Sequence, residues 1–179
     1  MANSIEALLE SCIKGDRLAQ RRFYEHFKGK MFMVCLRYAD CREDAEDMLQ
    51  EGFVKIFRDL HQYQGQGSFE GWMRKVVVNV AFYYLKKKKR LQLGDVEEFE
   101  WKQMHESETQ LHFEERLDMV LKMMQQLPTG FRTVLNLYIL EGYNHKEISN
   151  LLGISEGTSK SQLNRAKSAL KEMIANSLS

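Results

Sequence analysis

The chain has 179 residues, 28% charged and 44% hydrophobic, the make-up of an ordinary globular protein with room for one domain or two small ones. Its formal net charge of +1 decides nothing about a polyanionic partner, and no apolar stretch approaches the roughly 20 residues that cross a bilayer, so membrane insertion is excluded. An odd set of thiols, Cys12, Cys35 and Cys41, without regular spacing, argues against a disulfide framework and for a reduced, cytoplasmic protein, and Met1 to Glu6, with no basic or apolar run, gives no reason to expect a secretion signal.

The chain contains a single proline, Pro128, and its apolar residues recur at helical spacing, which predicts an all-α fold. A first helix is expected over Ser4 to Lys14, with Ile5, Leu8, Leu9, Cys12 and Ile13 as its apolar side, broken by Gly15. Asp16 caps a second, whose stripe is Phe23, Phe27, Met31, Val34, Cys35 and Tyr38. A third starts near Arg42 and repeats Ala45, Met48, Leu49, Gly52, Phe53, Ile56, Phe57 and Leu60. The stretch Gln62 to Gly67 reads as a loop, and Ser68 caps a fourth helix whose expected buried face is Trp72, Val76, Val80 and Tyr84. A second helical unit begins near Phe113 with the stripe Leu117, Val120, Leu121 and Met124; Pro128 separates it from a short helix over Phe131 to Leu140, closed by Gly142.

Charge is unevenly spread. From Trp72 to Arg90 the charged residues are all basic, Arg74, Lys75 and the run Lys86 to Arg90. From Leu93 to Glu115 they are acidic apart from Lys102, and Gly157 to Lys171 is basic again. Two basic segments flanking an acidic one point to two polyanion contacts joined by a linker.

The C-terminal segment carries the clearest motif. Asn144 is an N-cap with Glu147 three residues on, Ile148, Leu151 and Leu152 form a short amphipathic helix, Gly153 turns the chain, and Ser155 caps a helix continuing through Leu163, Ala166 and Leu170. This is the helix-turn-helix pattern, whose second helix enters the major groove with its N-terminal part. The groove-facing candidates are Glu156, Thr158, Lys160, Ser161, Gln162 and Arg165, with Lys146 placed to meet the DNA backbone. On the fourth helix, Lys75, Asn79, Phe82 and Lys86 share a side with Tyr83 close by, a basic and aromatic combination that can hold unpaired bases and track phosphates. On the third, Asp47, Gln50, Glu51, Val54 and Arg58 lie opposite the apolar stripe as a charged face.

Three segments, in this order along the chain, resemble the extracytoplasmic-function (ECF) sigma factors. Asp44-Ala45-Glu46-Asp47-Met48-Leu49-Gln50-Glu51-Gly52-Phe53 is similar to their core-binding helix, Phe69 to Ala81 to their promoter-melting helix, and Gly153 to Ser161 to their promoter-recognition helix-turn-helix; Leu127-Pro128 ahead of Phe131, Arg132 and Val134 fits the start of the last domain. The resemblance implies two small helical domains, a helical bundle over 1–92 and a helix-turn-helix domain over 113–179, joined by an acidic linker over 93–112 that follows the RNA-exit path. It implies that Asp47, Gln50 and Glu51 meet the clamp helices of core RNA polymerase. Tyr63 to Phe69 would capture a flipped base of the −10 element, with Lys75, Asn79, Phe82, Tyr83 and Lys86 beside it. The second domain would read the −35 element and dock on the polymerase flap, and an anti-sigma factor is the expected regulatory partner of a protein that is a monomer when free. Two positions depart from the family pattern: Ser159 stands where Val is usual, and Val80 where Thr is usual after Asn79.

Other functions fit less of the chain. A conventional helix-turn-helix repressor explains the C-terminal motif but neither the Asp44 to Phe53 segment nor the basic-aromatic helix, and it would bind a palindrome as a dimer. The histidines, His26, His61, His105, His112 and His145, are scattered without metal-ligand spacing, and no glycine-rich phosphate loop occurs, so no enzyme, catalytic residue, metal or cofactor is expected. A structural adaptor leaves the basic segments unexplained.

Overall fold

The computed structural model describes residues 2–63, 65, 67–87 and 113–177, and the chain divides into two compact units, Met1–Lys88 and Lys89–Ser179. All regular structure among the described residues is helical. The acidic segment 93–112 and the basic run beyond Lys87 lie outside the described residues, as do Gln64 and Gln66 of the expected base-capturing loop.

The first unit contains α1 (Ala2–Ile13), α2 (Arg17–Leu36), α3 (Arg42–Asp59), a single 3-10 turn (Leu60–Gln62) and α4 (Phe69–Lys87). Asp16 caps α2 by accepting from the N–H groups of Leu18 (2.8 Å) and Ala19 (3.2 Å). The start of α3 lacks a side-chain cap, but Glu43 and Asp44 in its first turn oppose the positive end of the helix dipole. The α2 stripe from Phe23 to Tyr38 is buried as expected, and it packs against α3 and α4 around a cluster of rings. Phe23, without solvent exposure, lies 4.8 Å from Phe27, 5.4 Å from Phe57 and 5.8 Å from Phe69 between ring centroids. Such tilted and edge-on contacts add to the gain from burying the rings. Gly52 lets α3 and α4 approach: a Cβ built there would stand 3.2 Å from Cγ2 of Val77.

Two expected faces are corrected. On α1, Cys12 is buried but Ile13 is exposed. On α4, the buried residues are Met73, Val77, Val78, Ala81, Phe82, Tyr84 and Leu85, while Trp72, Val76 and Val80 sit at the margin. From Val76 to Leu85 this helix has only one residue, Asn79, that is neither aliphatic nor aromatic. Its own sequence therefore has little preference for one face, and α2 and α3 choose it by packing.

The second unit contains α5 (Phe113–Gln126), α6 (Thr129–Leu135), a π-helical turn (Asn136–Leu140), α7 (His145–Leu152) and α8 (Glu156–Ser177). Pro128 stands at the N-cap of α6, its carbonyl accepting from Arg132 N–H at 3.0 Å. Of the expected α5 stripe, Met124 is buried, Leu121 half-buried and Val120 exposed, and the side chain of Leu117 lies outside the described residues; Met123 and, just past the helix, Leu127 are also buried. Helix α6 is buried along its length and packs on α8. Within it Arg132 is fully buried and donates through Nη1 to the Gln125 carbonyl at 3.0 Å, tying α6 to α5. The π turn, closed by Glu141 N–H donating to the Asn136 carbonyl at 3.1 Å, leaves Tyr138, Ile139 and Leu140 exposed.

Candidate functional site

The helix-turn-helix of the second unit is built by local chemistry. Asn144 Oδ1 accepts from Glu147 N–H at 2.9 Å while the Glu147 carboxylate accepts from Asn144 N–H at 2.8 Å, a complete capping box. Gly153 ends α7 at φ +70°, a left-handed conformation that glycine adopts without strain. Ser155 Oγ then accepts from Thr158 N–H at 2.9 Å and caps α8.

Along α8 the structure divides the expected groove-facing residues. Glu156, Lys160, Ser161 and Arg165 are exposed, as is Lys146 on α7. Gln162 is not: at 4% exposure it belongs to the buried face with Leu163, Ala166 and Ala169. Thr158 is half-buried, and its hydroxyl lies 2.9 Å from Ser155 Oγ, within the cap. Besides Asn176 near its C-terminal end, the exposed amide of this helix is Asn164, between Lys160 and Ser168 on the polar face. The sequence reading missed it; its signal is the i, i+4 spacing from Lys160. Ser159 is fully buried and its Oγ lies 2.9 Å from Nδ1 of His145, whose ring stacks on Tyr138. A polar pair thus joins the two helices of the motif.

In the first unit, α4 exposes a narrow strip of Lys75, Asn79, Tyr83 and Lys86. Tyr83 is 73% exposed, whereas Phe82 is 8% exposed and lies in the core. The two aromatics were expected side by side on the surface; the structure separates them because they stand 100° apart on the helix. At the N-terminal end of the strip lies an aromatic platform. Trp72 stacks on Phe69 (5.7 Å, 27°) and meets Tyr63 (5.8 Å), and all three rings are half-buried. Tyr63 reaches across its loop to donate to the Gly67 carbonyl at 2.9 Å, and Phe69 continues inward to Phe27 (5.8 Å). The loop is therefore seated on the core through Phe69, and Trp72, assigned to the buried face by periodicity, belongs to its rim.

On α3, Asp47, Gln50 and Glu51 are all exposed, followed by Val54 at 59% exposure. A groove of about 380 Å³ opens beside Gln50, between α2 and α3. Its walls include Tyr24 and Phe32, with Lys28 Nζ 5.9 Å from the centre of the Tyr24 ring and Arg42 Cζ 5.1 Å from that of Phe32. The hydroxyl of Tyr84 on α4 lies 3.0 Å from Asp44 Oδ1 and 3.1 Å from Asp47 Oδ2, a link absent from the sequence reading.

All three thiols are shifted towards the protonated form. Burial pushes the Cys35 thiol up to about 12 and also raises that of Cys12, helped by the Asp16 charge. At exposed Cys41 the Asp44 N–H favours the thiolate, but desolvation and the neighbouring acids Glu43 and Asp44 outweigh it and the thiol is raised. No group of three or more His, Cys, Asp or Glu side chains is placed to hold a metal among the described residues.

Two family models match the two units: Sigma-70 region 2 over residues 23–91 and Sigma-70 region 4 over residues 117–170. The chain is 26% identical to the ECF RNA polymerase sigma-E factor of Haemophilus influenzae, covering 97% of this chain and 94% of that protein. It is 27% identical to the sigma-E factor of Escherichia coli, covering 94% and 93%. The chain belongs to the ECF RNA polymerase sigma factors.

A further relative, the ECF sigma factor SigE of Mycolicibacterium smegmatis, is 28% identical over 90% of this chain, which spans 65% of that longer protein. Among solved structures, the sigma factor RpoE of Bartonella quintana, crystallised with the anti-sigma factor NepR, shares the fold at a TM-score of 0.52, with 18% identity over 87% of this chain and 96% of that one. ECF sigma factors are transcription initiation factors and not enzymes. No helix among the described residues of this sigma factor is long and apolar enough to cross a membrane.

Proposed function

We propose that this ECF sigma factor binds core RNA polymerase through Asp47, Gln50 and Glu51, reads the −35 element with α8, and captures and opens the −10 element with the α4 strip and its aromatic platform. The observation that carries the reading is the strip itself. Lys75, Asn79, Tyr83 and Lys86 run exposed along a helix whose other side, from Met73 to Leu85, is in the core, starting from the half-buried rings of Tyr63, Phe69 and Trp72. Cations spaced along such a line can follow phosphates, Asn79 can hydrogen-bond a base edge, and exposed aromatic faces can stack on a base taken out of the duplex.

On this reading 1–92 forms the polymerase- and −10-binding domain, 113–179 the −35-binding domain and 93–112 the linker. Lys160, Ser161, Asn164 and Arg165 supply the groove contacts and Lys146 a phosphate contact; the exposed Tyr138, Ile139 and Leu140 suit docking on the polymerase flap. The free protein is a cytoplasmic monomer held by an anti-sigma factor; the complex of a fold relative with an anti-sigma factor supports that partner class.

Copurification with core polymerase, followed by run-off transcription, tests the whole assignment. Glu51→Lys should leave the free protein folded and weaken polymerase binding by about 2 kcal/mol, roughly 30-fold, through like-charge contact at the interface. Unchanged affinity would remove α3 as the docking helix. Asn79→Ala should leave polymerase binding intact and reduce permanganate reactivity of −10 thymines, with transcription recovering on a template melted beforehand; normal reactivity on duplex promoter would make the α4 strip structural only.

A further inference from the structure

Asp44 and Asp47 stand three residues apart in the first turns of α3, so both carboxylates project from one side of that helix. They differ in surroundings: Asp44 is 3% exposed, while Asp47 belongs to the exposed docking face. Between them sits a single hydroxyl from another helix. Tyr84, 8% exposed, is locked by its ring in the α3–α4 interface and presents its oxygen 3.0 Å from Asp44 Oδ1 and 3.1 Å from Asp47 Oδ2.

A phenol has one proton to donate and two carboxylates within reach of it. The buried ring makes that donor a fixed point, so the bond to Oδ2 restrains an Asp47 side chain that a surface helix position would otherwise leave free to change rotamer. Its second oxygen, Oδ1, is then held in a defined direction for an incoming cation.

We propose that Tyr84 is a positioning residue for polymerase docking, holding the Asp47 carboxylate in the orientation its partner meets. The proposal rests on the assignment of Asp47 to the docking face, and its test separates the two. The affinity of the full-length chain for core RNA polymerase is measured for the parent, Tyr84→Phe, Asp47→Asn and the double variant, at a temperature where melting curves show every variant folded. Tyr84→Phe keeps the ring and should weaken binding about threefold to tenfold, the effect of one lost charge-assisted restraint. Asp47→Asn should weaken it at least as much, and the double variant should bind no worse than Asp47→Asn alone, because Tyr84 acts through Asp47. Should Tyr84→Phe fail to fold, the same cycle is run on an Asp44→Asn background. Additive losses would overturn the proposal, since they would mean that Tyr84 only stabilises the helix pair. Weakened binding by Asp47→Asn with none by Tyr84→Phe would remove the positioning role and keep the docking face. Parental affinity in Asp47→Asn would remove both.

Discussion

Helices α4 and α8 both present basic residues on an exposed face, but they are built in opposite ways. Helix α8 buries small or polar side chains, Ser159, Gln162, Ala166 and Ala169 along with Leu163, and leaves a broad polar face. Helix α4 buries large ones, Met73, Val77, Phe82, Tyr84 and Leu85, and between its exposed ends, Glu70 and Lys87, leaves the strip from Lys75 to Lys86. The first surface is written into the helix's own pattern; the second is what remains after α2 and α3 have covered the rest. A nucleic-acid surface of the second kind should be far more sensitive to core substitutions beneath it.

The largest expected effect tests that difference at neighbouring positions. Phe82→Ala should destabilise the first unit by about 3–5 kcal/mol, as loss of a buried aromatic does. Tyr83→Ala should change stability by less than about 0.5 kcal/mol, as surface positions do, and act only on promoter opening. Denaturant unfolding of the two variants measures both, and equal losses would mean that the strip has been drawn one residue out of place.

A second pair applies the same test to α8. Gln162→Ala should lower stability while leaving the base preference at the −35 element unaltered. Asn164→Ala should leave the melting transition in place and cost about 1–3 kcal/mol of promoter-duplex affinity, with relaxed preference at one base pair. Binding to a set of single-base promoter variants separates the outcomes; altered base preference in Gln162→Ala would break the assignment of that side chain to the core.

The smallest effects should be alike in the two units. Ser68 Oγ accepts from Gly71 N–H at 3.0 Å at the start of α4, and Asn144 caps α7. Ser68→Ala and Asn144→Ala should each cost about 1 kcal/mol, because a cap is satisfied within three residues whatever the rest of the fold does. A much larger loss at Ser68, seen in thermal unfolding, would show that the cap also holds the seat of the Tyr63 to Phe69 loop.

Such local devices are the reason much of this protein was legible without its structure. Asp16, Ser68, Asn144 and Ser155 act on N–H groups two or three residues away, Gly153 on its own backbone angle, and the stripes of α2 and α3 on a single helical period. All-helical architecture, both basic helices and the exposed Asp47, Gln50 and Glu51 followed from these short-range signals. The tertiary structure decided the rest. A helix as uniformly apolar as α4 has no preferred inner face until neighbours are packed against it, so Phe82 went inside, Tyr83 outside and Trp72 to the rim. Gln162 went inside and Asn164 outside because a polar side chain close to the centre of a contact is buried by geometry, whatever its hydropathy. The Tyr84 hydroxyl meets Asp44 and Asp47 from 40 and 37 residues away, a distance along the chain over which periodicity carries no information and only the packed α3–α4 pair does.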